Sequence, residues 1–136
     1  FVIGQANVLI APEKPSVAII ACGQLVYHAL VASRLLAKEK IMVTVVNSHT
    51  IKPLDQKTIL AEAKRAGKVV TVEEHQLAGG LGSAVAELLA AHNPVPIEFV
   101  AVRDEFGQSG TPAELVEHYG LGVEGIVAAV RKVIHR

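Results

Sequence analysis

Two carboxylates and an imidazole, Glu73, Glu74 and His75, stand just ahead of Gly79, Gly80, Gly82 and the hydroxyl of Ser83 in the stretch EEHQLAGGLGSAV. Three chemistries could use such a set. A carboxylate beside an imidazole raises its pKa and orients its ring, which suits general acid-base catalysis. Glycines ahead of a helix let backbone N–H groups approach an anion at the positive end of the dipole. The third reading is a sharp, solvated turn. A dinucleotide fingerprint needs G-x-G-x-x-G leaving its strand directly, whereas here a polar segment intervenes and Val85 stands where the last glycine belongs. A Walker A loop also needs Lys after its final glycine. Neighbours on an extended segment point to opposite sides, so Glu74 need not touch His75. His75 therefore reads as a polar histidine at an interface, the glycines as a turn packed close to the sheet, and the charges as exposed.

RDEFGQSG poses a similar choice. Asp104 and Ser109 could contact a ligand, but Asp, Ser and Gly also supply turn hydrogen bonds, and Phe106 can staple the loop to the core. Ser109 lacks the G-x-S-x-G setting of a nucleophile elbow, and no triad completes it. The other histidines, His28, His49, His92, His118 and His135, lack H-x-x-x-H or Cys pairing, which argues against a metal site. His92, His118 and His135 are expected in solvent near helix ends. Cys22, the only cysteine, sits in VAIIACG and reads as a small core residue.

The elements that would position these groups alternate. Val17–Gly23 is a continuous apolar run of the kind buried on both faces. Leu25, Ala29, Ala32 and Leu36 share one helix face. A strand over Ile41–Val46 leads to NSHTIKP. Asp55 then N-caps a helix carrying Ile59, Ala63 and Ala66, with Gly67 at C′. Val69–Val72 is a strand, and Leu81, Val85 and Leu88 line the following helix. Ile97–Val102 is the next strand. Thr111, Pro112 and Glu114 form a capping box with proline in the first turn. Val123, Val127, Val130 and Ile134 stripe a closing helix. The pattern predicts an α/β fold, a three-layer domain with a mainly parallel sheet of about five strands covered by helices on both faces. The lead-in FVIGQANVLI can add an edge hairpin. The chemical groups then gather where the carboxyl ends of the strands converge.

With 136 residues, 51% of them hydrophobic, the chain suits one domain spanning 1–136 with one well-buried core. Thirteen basic side chains balance thirteen acidic ones, which argues against nucleic-acid or anionic-membrane partners. No apolar run approaches the roughly 20 residues that cross a bilayer. One cysteine fits a reducing cytoplasm. The start on Phe1 rather than Met suggests either an excised piece of something longer or a processed chain.

The succession FVIGQANVL, VAIIACG, TIKPLD, KVVTVEEHQLAGGLGSAVAELL, DEFGQSGTPAEL and YGLGVEGIVAAVRKVI resembles the C-terminal domain of transketolase from end to end. The resemblance implies a module fused or bound to pyrimidine-binding and diphosphate-binding domains, in a homodimer. It implies thiamin diphosphate and Mg²⁺ in the whole enzyme, bound outside this domain. The whole enzyme would transfer a two-carbon ketol unit between sugar phosphates, as in the pentose phosphate pathway. It assigns no catalytic, cofactor or metal role to any residue here. Glu74, His75, Gly79, Gly80, Gly82, Ser83, Asp104 and Ser109 remain candidate interdomain or anion contacts. The β subunit of 2-oxoacid dehydrogenases and 1-deoxyxylulose-5-phosphate synthase share this domain type; FGQSGTP favours transketolase over both. ACGQLV departs from the Thr-Gly-Ser wording common after the first strand.

Overall fold

Short β-branched runs alternate with amphipathic ones, and in a computed structural model describing residues 1–136 each becomes an element. The order is β1 (Asn7–Ile10), β2 (Val17–Ala21), α1 (Leu25–Lys38), β3 (Val43–Asn47), α2 (Gln56–Ala66) and β4 (Val69–Gln76). It continues with α3 (Leu81–His92), β5 (Ile97–Val102), α4 (Pro112–His118) and α5 (Val123–Ile134). The five strands form one sheet in the order β1-β3-β2-β4-β5. All pairings are parallel except β1 with β3.

Successive residues of a strand face opposite sides, and β2 shows why both of its faces had to be apolar. Val17, Ile19 and Ala21 join the core beneath α1, α4 and α5, whereas Ala18 and Ile20 join a second core beneath α2 and α3. The chain winds from β2 to β3 in one direction and then crosses back over β2 to β4 and β5. Right-handed crossovers put helices made in opposite directions on opposite faces. The three-layer α/β architecture follows, with β2 at its centre.

Several boundaries follow the sequence pattern. Leu25, Ala29, Ala32 and Leu36 are buried on α1. Asp55 caps α2 through the Thr58 N–H, and Gly67 ends it at φ +70°. The Thr111–Glu114 capping box is complete, with Pro112 opening α4. No helix is long and apolar enough to cross a membrane.

Other expectations are corrected. The lead-in makes no hairpin; β1 runs alone along the free edge of β3, and the APEKPS turn passes to the central strand. β2 ends at Ala21, β3 starts at Val43, and β4 runs to Gln76, so Glu73, Glu74 and His75 are strand residues. On α5 the buried stripe is Ile126, Val127, Val130 and Val133; Val123 and Ile134 lie half-buried at its rim. At the end of this helix Lys132 pairs with buried Glu98 of β5 at 3.0 Å, and Arg136, just past the helix, pairs with the same carboxylate.

Candidate functional site

The loops leaving β2 and β4 diverge to opposite faces, which opens a crevice between those strands at their carboxyl ends. This is the switch point where open α/β sheets usually take ligands. Here a cleft of about 330 Å³ lies between Cys22 and Gly23 on one side and Glu74, His75, Gly79 and Gly80 on the other.

Glu73 decides what the glycines do. Its side chain is 1% exposed. Its carboxylate accepts the Leu81 N–H at 2.6 Å and the Gly82 N–H at 2.8 Å, the first free donors of α3. An anion belongs at a helix N-terminus, and in this chain the anion is internal. The expectation that these charges are all exposed fails at Glu73 because the strand continues and turns it toward α3. Gly80 and Gly82 are required by this contact. A Cβ on Gly80 would collide with the Glu73 carboxylate, and one on Gly82 would sit 2.9 Å from Phe99 Cδ1 and 3.0 Å from Thr71 Oγ1. Gly82 is therefore a helical residue of α3 rather than part of the preceding turn.

The other candidates separate. Glu74 is exposed and accepts a short hydrogen bond from Gln24 Nε2 across the mouth of the crevice. His75 is exposed, and its Nδ1–H donates to the Gln76 carbonyl at 2.9 Å, so Glu74 does not orient its ring. Ser83 closes the turn, accepting the Gly79 N–H at 2.8 Å and donating to the Leu77 carbonyl at 2.9 Å. Asp104 gives its N–H to Gln76 Oε1 at 2.9 Å and adopts φ +54°. Ser109 lies in the outer loop, which is exposed from Arg103 to Gly110.

Two apolar expectations are also corrected. Phe106 is 94% exposed and staples nothing. Its loop is held by polar groups: Gln76 Nε2 donates to the Glu105 carbonyl at 3.0 Å, and Tyr119 Oη donates to the Phe106 carbonyl at 2.9 Å. Cys22 lies one residue past β2 and is only half-buried. Burial, helped by the nearby Glu73 charge, pushes its thiol up to about 11, so the thiolate is scarce at neutral pH. His92, His118 and His135 are exposed at helix ends, as their positions imply. Gln24, Gln76 and Tyr119 organise the edge, and single glutamines or tyrosines carry no sequence signal for such roles.

Thiamin diphosphate with Mg²⁺ would require free donors for a diphosphate and clustered oxygen ligands. The α3 donors are occupied by Glu73, and no group of three or more His, Cys, Asp or Glu converges in the structure. The α3 end of the crevice does not fit the diphosphate of that cofactor.

The family described as transketolase, C-terminal domain, matches residues 4–126. The chain belongs to the transketolase C-terminal domain family. It is 43% identical, over all of its 136 residues, to a 6-deoxy-6-sulfo-D-fructose transketolase subunit of Clostridium sp. (strain MSTE9), of which it spans 42%. Over 118 residues, 86% of this chain, it is 47% identical to 1-deoxy-D-xylulose-5-phosphate synthase of Syntrophotalea carbinolica, of which it spans 19%. Its fold superposes with a TM-score of 0.92 and 43% identity on a split-gene transketolase described as an inactive β4 tetramer. That match covers 99% of this chain and 44% of the other. The transketolase-type chain thus spans less than half the length of these relatives.

Proposed function

We propose that residues 1–136 form the C-terminal structural and dimerisation module of a cytoplasmic transketolase, as one domain of a longer polypeptide or as a subunit. The whole enzyme would use thiamin diphosphate and Mg²⁺, held by pyrimidine-binding and diphosphate-binding domains outside this chain, to move a two-carbon ketol unit between sugar phosphates. The observation that carries this reading is Glu73. Family membership points to transketolase, and the α3 N-terminus, where the glycines could have held a phosphate, already holds a carboxylate. The same observation weighs against a small-anion or nucleotide-binding regulatory role for Gly79 to Ser83.

Calorimetry tests it. The 136-residue chain should give no binding heat with thiamin diphosphate and Mg²⁺, whereas the complete enzyme should bind both and transfer ketol groups. Micromolar binding by the chain alone overturns the reading. A second reading, the equivalent domain of a 1-deoxyxylulose-5-phosphate synthase, is favoured by the 47% identity to that enzyme. Product analysis of the complete enzyme separates the two, since only the second forms 1-deoxyxylulose-5-phosphate.

A further inference from the structure

Ten large apolar side chains are exposed, and six of them, Phe1, Val2, Ile3, Tyr27, Ile51 and Phe106, lie at the carboxyl edge of the sheet. Scattered apolar exposure is ordinary; its concentration on one edge marks a surface that is meant to be covered. The Gln24–Glu74 hydrogen bond lies at the same edge.

Phe106 is the most exposed of them, yet its backbone is fixed. Gln76 holds Asp104 and Glu105, and Tyr119 holds Phe106 itself, so three successive residues are tied down while the ring points to solvent. Asp104 keeps a left-handed conformation, φ +54°, within this arrangement. Fixing a loop before it docks removes ordering cost from association, and an aromatic at its tip is the kind of anchor that dominates interface energy.

The lead-in is fixed against the same edge. The Gly4 N–H donates to Thr50 Oγ1 at 3.1 Å, the Ala6 N–H donates to Asp55 Oδ2 at 2.8 Å, and the Phe1 ring lies 4.2 Å from that of His49. Because β1 is antiparallel to β3, polypeptide joined ahead of Phe1 would emerge at the carboxyl edge. In the relative that this chain matches along its whole length, more than half of the polypeptide lies outside the match. The shared part is a C-terminal domain, so that remainder comes first.

We propose that the carboxyl edge, anchored by Phe106 and flanked by Ile3 and Ile51, docks the domain that precedes this one in the same polypeptide. The inference rests on the reading of the chain as a C-terminal module, and it adds the surface, the anchor and the occupant. The partner needs an apolar pocket for the Phe106 ring and hydrogen-bond donors facing Glu74, Asp104 and Glu105.

The test compares Phe106→Asp and Phe106→Leu in two contexts, the 136-residue chain and the full polypeptide read from its gene. In the short chain neither change should move the melting temperature by more than about 1 °C, since no internal packing is lost. In the full polypeptide Phe106→Asp should lower it by about 4 °C or more and speed proteolysis just ahead of Phe1, with the number of protomers unchanged and Phe106→Leu close to the parent. Equal responses in the two contexts overturn the surface. Loss of oligomers without faster proteolysis shows that a second copy covers the edge and overturns the occupant, as does a reading frame that opens at Phe1. A full polypeptide that transfers ketol groups yet ignores Phe106→Asp sinks this inference alone; one that responds but lacks transfer activity sinks the functional reading alone.

Discussion

At position 73 a buried carboxylate receives two helix N–H groups, and removing it strands both donors. An unsatisfied buried donor costs about 1–3 kcal/mol, so Glu73→Ala should lower unfolding stability by about 2–4 kcal/mol in urea titrations. Glu73→Gln keeps one acceptor oxygen and should cost less. A loss below about 1 kcal/mol for the alanine variant would show that solvent replaces the carboxylate. The same charge acts on Cys22. Burial is the larger cause of the raised thiol pKa and Glu73 the smaller, so Glu73→Gln should lower the midpoint of the alkylation-rate profile from about 11 without restoring the ordinary 9.0. In the parent the unfolded thiol ionises first as pH rises, so the unfolded chain binds fewer protons and stability declines between 9.0 and about 11. The sequence made these residues conspicuous but hid their roles. Two acids after VVTV look like the wet end of a strand, and only the continuation of β4 to Gln76, with small residues at positions 80 and 82, turns Glu73 inward. Phe106 misled for the opposite reason: aromatic type predicts packing, whereas Gln76 and Tyr119 hold the loop through its backbone.

Helix ends and turns were the most legible elements, because their signals are local. Asp55 shows how one cap can do more than its pattern announces. It accepts the Thr58 N–H at 3.1 Å and hydroxyl at 2.7 Å, as an N-cap should, and also ties down the lead-in through Ala6. Burial raises its pKa, but the bonds from Thr58 and Ala6 together outweigh that and hold the carboxyl below its ordinary value. A depressed carboxylate stabilises the fold above its unfolded pKa, near 3.8, and that contribution disappears as pH falls through the folded value. Asp55→Ala should therefore cost about 1–2 kcal/mol at pH 7, with the deficit shrinking at the acid end. Urea midpoints at several pH values check this, and a deficit independent of pH would contradict it. The start of α5 was less legible. A Cβ on Gly125 would strike the Gly120 carbonyl oxygen and lie 2.8 Å from its carbonyl carbon, backbone atoms that cannot rotate away. Gly125→Ala should lower stability by about 1–3 kcal/mol, although VEGIVAAV reads as an ordinary helix in which alanine would be welcome.

The three-layer arrangement follows from strands with two apolar faces, β2 most completely and β3 and β4 beside it, and for β2 that much was visible in VAIIA. Which strand lay at the centre, and how the lead-in joined the sheet, depended on long-range pairing that no local pattern encodes. β2 carries both cores: Ile19 belongs to the larger one under α1 and α5, and Ile20 to the smaller one under α2 and α3, each with 0% exposure. If the two layers were separate folding units, trimming one core would leave the other intact. Because the same five-residue strand supplies both, loss of either should unfold the whole. Ile19→Val and Ile20→Val should each cost about 0.5–1.5 kcal/mol, the usual effect of removing one buried methylene. Both variants should retain a single transition in which far-ultraviolet circular dichroism and hydrogen exchange on α3 and α5 lose structure together. Two separated transitions in Ile20→Val, with α2 and α3 melting first, would show that the smaller layer is only draped on the sheet. That layer would then be unable to hold α3 and the end of β4 rigidly, and the docking edge would depend on its partner for its own order.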